Sequence, residues 1–353
     1  MAVLDGLRFV AALSVVLFHF GGQAANTSEK IWGQANAVMF PRAQGVFAFG
    51  LLGVELFFLI SGFVICMSAW GRSPRQFFVS RVARLYPMYW VAVLLTSAVL
   101  VSVTTPLAAP SFDTVLTNLT MLQTPLGVSN VDSVYWSLWP ELAFYLSFST
   151  VVWRGVTYGR VVVFGGVWIV AAALAPAVDN QAYTLLVNPM SAPYFVAGMV
   201  FYLMHRFRPT PLLWGIVGMS WLLGLHYLLA RTDGRLDWEM WSPRQASLIL
   251  LITTFYLLIA AVALGWTARI RWHWLSVAGS ITFPLYVIHY SIGVTIIHAL
   301  RDRVAPWPLF TGVVVGMVIT AYVLHRVVER PLGRWMRRAL TSDSFTLREP
   351  AGR

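Results

Sequence analysis

Arg8 and His19 bracket an apolar run from Phe9 to Phe18, with Asp5 just ahead of it. Two carboxylates also sit in apolar surroundings. Glu55 lies in Gly53-Val54-Glu55-Leu56-Phe57-Phe58, followed by Ser61, and Glu141 ends Trp136-Ser137-Leu138-Trp139-Pro140-Glu141. His289 follows Tyr286 in a third apolar stretch. A histidine can take a proton from a hydroxyl, and a nearby carboxylate fixes its tautomer and stabilises the imidazolium; such help gives about 10²–10⁴ in rate. Arg8, Arg81 and Arg84, with Glu329 brought near them by the topology, are the residue types for a phosphorylated ligand, because guanidinium forks match phosphate oxygens. Each residue also has a structural reading. An intramembrane histidine bonds a neighbouring helix, a buried glutamate partners an arginine or tryptophan, and arginines anchor at lipid headgroups. His205, His226, His273 and His298 fall near segment ends and read as interfacial. Pro140 frees a backbone carbonyl and is expected to mark a kink at a cavity beside Glu141. Trp136 and Trp139 flank that glutamate and stand apart from the other tryptophans, which read as belt and packing residues.

The elements that must hold these groups are membrane helices. Apolar residues make up 58% of the 353 and charged residues 11%, against about 25% charged in a soluble domain. Ten apolar segments are long enough to cross: about 4–22, 45–68, 86–105, 134–152, 160–177, 190–206, 211–230, 245–266, 279–299 and 306–328. The fold class is therefore an all-α polytopic membrane protein, with residues 1–338 as one transmembrane domain and 339–353 as a short polar tail, expected to be disordered. Every even-numbered boundary is basic: Arg72, Arg75, Arg81 and Arg84; Arg154 and Arg160; Arg206 and Arg208; Arg269 and Arg271; Arg330, Arg334, Arg337 and Arg338. The odd boundaries are mixed or acidic, holding Glu29, Asp113, Asp132, Asp179, Asp233, Asp237, Glu239 and Asp302 among others. The positive-inside rule then puts both termini in the cytoplasm. The stretch from Arg72 to Pro87 is basic and amphipathic and is expected to lie along the inner surface.

The net charge of +11 is first a topology signal, and no soluble basic face for nucleic acid is present in the sequence. Cys66 is the only cysteine, which leaves no disulfide framework and no cysteine metal site; no metal is expected. One competing reading of the N-terminus is a secretory signal, with Gly21-Gly22-Gln23-Ala24-Ala25 as a small-residue cleavage region; Asp5 and His19 argue against it.

Topology assigns depth. As a helix, the rise from Arg8 to His19 is roughly 16 Å, about half of the roughly 30 Å hydrocarbon core. His19, Glu55 and Glu141 are expected at similar depth in the outer half, and Arg8, Arg81, Arg84 and Glu329 near the inner face. Ionisable groups at such depth cost about 3 kcal/mol each on insertion scales and read as functional by default. Two classes of function use these poles. One is an enzyme with a histidine base outside and a phosphate-binding face inside. The other is a transporter or flippase using His19, Glu55 and Glu141 as a proton or substrate relay, against which stands the lack of an internal repeat.

With these motifs in this order the chain resembles membrane acyltransferase family 3, the bacterial inner-membrane O-acyltransferases of surface sugars and some secondary metabolites. The resemblance covers nearly the whole chain. It rests on Leu4-Asp5-Gly6-Leu7-Arg8 with His19; Gly53-Val54-Glu55-Leu56-Phe57-Phe58 with Ser61-Gly62-Phe63; Arg81 and Arg84 before Leu85-Tyr86-Pro87; Trp136-Ser137-Leu138 with Glu141, Phe144 and Tyr145; Tyr286 with His289; and Glu329-Arg330-Pro331-Leu332. Glu55 is a mild departure, since the family often has Asp there. The resemblance implies His19 as catalytic base with Arg8 essential in the same helix, Arg81 and Arg84 in the acyl-CoA region, and Glu141 in the active-site cavity. It implies acyl-CoA, acetyl-CoA above all, as donor substrate with no permanently bound cofactor, and a sugar, glycan or small-molecule hydroxyl as acceptor. Many members carry a further esterase-like domain after the membrane part; this chain looks like a stand-alone form.

Overall fold

The computed structural model describes residues 1–233 and 243–341, and no strand occurs among them. The principal helices are α1 (Ala2–Leu17), α2 (Gly53–Ala69), α3 (Pro74–Ser102), α4 (Leu138–Trp153), α5 (Tyr158–Leu174), α6 (Ala192–Arg206), α7 (Pro211–Asp233), α8 (Pro243–Ala263), α9 (His273–Leu300), α10 (Pro306–Leu324) and α11 (Arg330–Thr341). Two π-helical turns interrupt this regularity: Phe18–Gly22 prolongs α1, and His325–Glu329 joins α10 to α11.

Among the described residues, nine helical stretches are long and apolar enough to cross a membrane. The expected fourth crossing is the exception. Its helix, α4, has only 16 residues and follows a 3-10 turn at Ser133–Ser137. That turn docks on the middle of α9 through Tyr135, Tyr286 and Ser291. The chain thus enters deep into the bundle before α4 begins, which shortens the helix.

α2, α6 and α9 are the most enclosed helices, whereas α5 turns Val163, Val167, Val170 and Leu174 outward at helical spacing and α8 does the same with Leu250 and Leu257. Lipid is as apolar as these side chains, so association inside the bundle depends on close packing. The crossing of α2 and α6 shows how close that is. A Cβ at Gly62 would lie 2.1 Å from the Phe195 carbonyl oxygen, and one at Gly198 would lie 2.1 Å from that of Leu59. Only glycine lets the two backbones touch there.

The basic stretch after Arg72 is not a separate surface helix. Ser73 and Gln76 form a capping box, Pro74 occupies the first turn, and α3 then runs unbroken for 29 residues through Pro87. Phe77, Arg81 and Leu85 are buried in its first half. α11 packs along that half, and an Arg75 guanidinium N–H donates to the Leu340 carbonyl at 3.2 Å. Helix continues to Thr341, into the expected tail; residues 342–353, where disorder was expected, lie outside the described residues.

Candidate active site

His19 stands on the π turn that follows α1, partly buried. π turns interrupt the regular ladder and are frequent at functional sites. The turn is seated against α9 by Phe20, whose ring fills the space beside Gly293; a Cβ on that glycine would lie 2.2 Å from it. This brings His19 to His289, with Nδ1 of the first 3.0 Å from Nε2 of the second. His289 is fully buried, and its Nδ1 lies 2.8 Å from the Tyr286 carbonyl and 3.2 Å from that of Leu285. Carbonyls only accept, so His289 carries its proton on Nδ1 and offers a lone pair at Nε2. His19 must therefore donate from Nδ1. Its own Nε2 is left with a free lone pair, the state a general base requires.

On the far side of Tyr286 lie a narrow space and then a polar cavity. Tyr286, its ring 5.9 Å from that of His289, lines a narrow space of about 60 Å³ with Val54, Phe57, Phe58, Leu138 and Phe283. Phe57, Ser61, Glu141, Thr282 and Phe283 also line the wider cavity beneath, about 330 Å³, which holds Asp5, Arg8, Arg84, His325 and Glu329. A neighbouring groove of about 340 Å³ shares Arg84, His325 and Glu329 and adds Arg81, Arg330, Arg334 and Arg337. Among the described residues its only acid is Glu329, and that is engaged by His325 at 2.6 Å.

Arg8, Arg84, Glu141 and Glu329 thus share one cavity, with Arg81 in the adjoining groove. Glu141 accepts hydrogen bonds from Tyr145 and, at 3.5 Å, from the Ser61 hydroxyl. His19, Glu55 and Glu141 do not form one cluster: the partner of His19 is a second histidine, and Glu55 is 2.7 Å from Arg231. Glu141 falls with the arginines because α4 begins deep in the bundle. Nor does Pro140 kink a helix; it is the third residue of α4, in the first turn, where its missing N–H removes no hydrogen bond. Trp136 is 40% exposed and meets Phe58 edge-on, while Trp139 donates to the Leu185 carbonyl at 3.0 Å; neither lines the described cavities.

Sequence reasoning missed two residues. His325 borders the cavity, the arginine groove and a further groove of about 370 Å³ beside α9; its i,i+4 spacing to Glu329 was the available signal. Asp132 read as a loop charge, yet it is fully buried against α9.

A family model described as an acyltransferase domain, acyltransferase 3, matches residues 1–326. Acyltransferase MdmB of Streptomyces mycarofaciens is 29% identical over 196 residues, covering 54% of this chain and 48% of the relative. Protein 2 in the picA locus of Rhizobium radiobacter is 35% identical over 103 residues, 27% of this chain and 44% of the relative. The chain thus spans about half the length of these two. The exopolysaccharide production protein ExoZ of Rhizobium meliloti is 25% identical over 303 residues, 82% of this chain and 91% of the relative. No solved structure matches the chain. A family match that runs from the first residue through α10 leaves one reading of this helical bundle: the chain belongs to the acyltransferase 3 family.

Proposed function

We propose that the protein is an O-acetyltransferase of the bacterial cytoplasmic membrane, moving the acyl group of cytoplasmic acetyl-CoA to a hydroxyl of a sugar, glycan or similar acceptor. The observation that carries the reading is the His19–His289 pair, whose hydrogen bonds leave Nε2 of His19 as an unprotonated nitrogen. In the reaction that nitrogen takes the proton of the acceptor hydroxyl as its oxygen attacks the thioester carbonyl. The tetrahedral intermediate then expels CoA thiolate, which takes the proton back from the imidazolium. An ester and free CoA thiol result, and His19 is restored. His289 helps by accepting from Nδ1 of His19 as positive charge develops.

The inner spaces support the choice of donor. The CoA head is polyphosphorylated, and Arg8, Arg81, Arg84, Arg330, Arg334 and Arg337 supply guanidinium groups there. The space of about 60 Å³ between Phe57, Phe58 and Tyr286 suits a thin pantetheine arm carrying a short acyl group better than a long chain. Glu141 lines both spaces and would face the arm along its course. The names of MdmB and ExoZ favour acyl transfer and a polysaccharide connection respectively. The test is release of CoA thiol from acetyl-CoA by purified protein, with crude envelope glycans as acceptor. Acceptor-dependent release is expected for the native protein, with a fall of at least about 10²-fold in His19→Ala. Equal release by both would refute the assignment.

A further inference from the structure

The turn of α9 that carries His289 is held from outside the helix. In a regular helix the N–H of Ser291 pairs with the carbonyl of Val287. That N–H also donates to Asp132 Oδ2 at 2.9 Å, and the Val287 carbonyl also accepts from the Tyr135 hydroxyl at 3.1 Å, within a helix that stays regular there. One short segment thus contacts both backbone groups of a single helical turn, and His289 lies between them. The same segment holds the turn below: Ser137 and Tyr286 share a 2.6 Å hydrogen bond, and the Tyr286 hydroxyl donates to the Val134 carbonyl at 3.1 Å. Asp132 is itself fixed, since its Oδ1 accepts the Val134 N–H at 3.1 Å. Asp132 and Tyr135 are both 0% exposed. Among the described residues Asp132 has no ionic partner, and a buried carboxylate in that state is costly and persists where its hydrogen bonds are needed.

We propose that Asp132 and Tyr135 are positioning residues that clamp the α9 turn around His289 and thereby aim Nε2 of His289 at Nδ1 of His19. The proposal rests on the reading of His19 as base. The clamp acts on the reacting pair without touching substrate, so loosening it lowers turnover and leaves donor binding at the arginine cavity alone. A 1 Å misplacement of a catalytic group can cost about 10²-fold.

The test is a double-mutant cycle in the thiol-release assay with acetyl-CoA and crude envelope glycans, per mole of folded protein. Tyr135→Phe removes one hydroxyl and keeps the ring. It is expected to lower kcat about tenfold or more with the KM for acetyl-CoA unchanged, and Asp132→Asn to do the same. In a His289→Ala background, where turnover is already reduced, Tyr135→Phe is expected to cost nothing further, because its target is gone. A packing role would give the same loss in both backgrounds, or raise KM, and would overturn the proposal. So would native turnover in Tyr135→Phe beside an inactive His19→Ala. Native turnover in His19→Ala itself would instead remove the reading beneath it, so the two failures are distinguishable.

Discussion

A general base must be unprotonated and correctly aimed, and at His19 both conditions depend on atoms of α9. Carbonyls of Leu285 and Tyr286 fix the proton on His289, and His289 fixes the proton on His19. Arg81 shows a comparable dependence at the other pole. It is 7% exposed, lies over the Tyr145 ring, donates to the Ser80 hydroxyl, and has no hydrogen-bond partner at Nε. Among the described residues it makes no ion pair with a carboxylate. A buried guanidinium in that state is costly unless an anion completes it, which is the role the donor's phosphates would fill. Hydrogen bonds to charged groups contribute about 1.5–3 kcal/mol. Arg81→Gln is therefore expected to raise the KM for acetyl-CoA by about ten- to a hundredfold, while the KM for acetyl-pantetheine, which lacks the nucleotide phosphates, stays unchanged. Steady-state kinetics with the two donors checks this, and equal effects on both would argue against a phosphate contact. The residue types at both poles were legible in the sequence. The pairing of His19 with His289 was not, because 270 positions separate them and no local rule spans that distance.

Helices set how closely those side chains can meet. α2 carries Ser61 and Phe57 into the cavity, and α6 presses on its far side where Gly62 and Gly198 bring carbonyls against bare Cα atoms. Gly198→Val would place a branched side chain where the Leu59 carbonyl oxygen stands. Because the obstacle is backbone, no rotamer relieves the clash, and α2 must move away. Gly198→Val is expected to lower the thermal midpoint in detergent markedly and to reduce the yield of folded protein. Gly215→Val, at a site on α7 where an added Cβ would meet nothing within 4 Å, should be tolerated. Fluorescence-detected size exclusion of the two variants separates the cases. At this scale the sequence was a good guide wherever apolar length decides: most helix limits fall within a few residues of the expected segments. It failed where tertiary contact decides. α3 begins well before the apolar run because a capping box and Pro74 start it and α11 covers its basic half. α4 begins late because the preceding segment spends its polar groups on the middle of α9. Neither contact leaves a periodic trace in composition.

Across the whole molecule the charge pattern has one polarity. Arg72, Arg154, Arg206, Arg208, Arg269 and Arg271 lie in or beside the connections on one side of the alternating bundle, and α11 adds Arg330, Arg334, Arg337 and Arg338. Several exposed tryptophans lie on that side, Trp153 beside Arg154, Trp266, Trp272 and Trp274 around Arg269 and Arg271, and Trp335 on α11, while Trp136 and Trp307 lie toward the other. Tryptophan favours the headgroup level at either face, and arginine the cytoplasmic face. By the arginine rule the side bearing both would be the inner one, and it is also the side of the arginine groove, where a cytoplasmic donor would enter. The connection from Val103 to Ser137 would then face outward except where it dips to meet α9. Cys66, the only cysteine, is 0% exposed, so introduced cysteines report on their own surroundings. Leu126→Cys, at a position 63% exposed in the outer connection, is expected to react with a membrane-impermeant maleimide in intact cells. Thr341→Cys, at the exposed end of α11, is expected to react only after permeabilisation. The reverse pattern would place the arginine groove outside. Acyl-CoA could not then reach it, and the charge polarity would have to serve an anionic ligand from the external side.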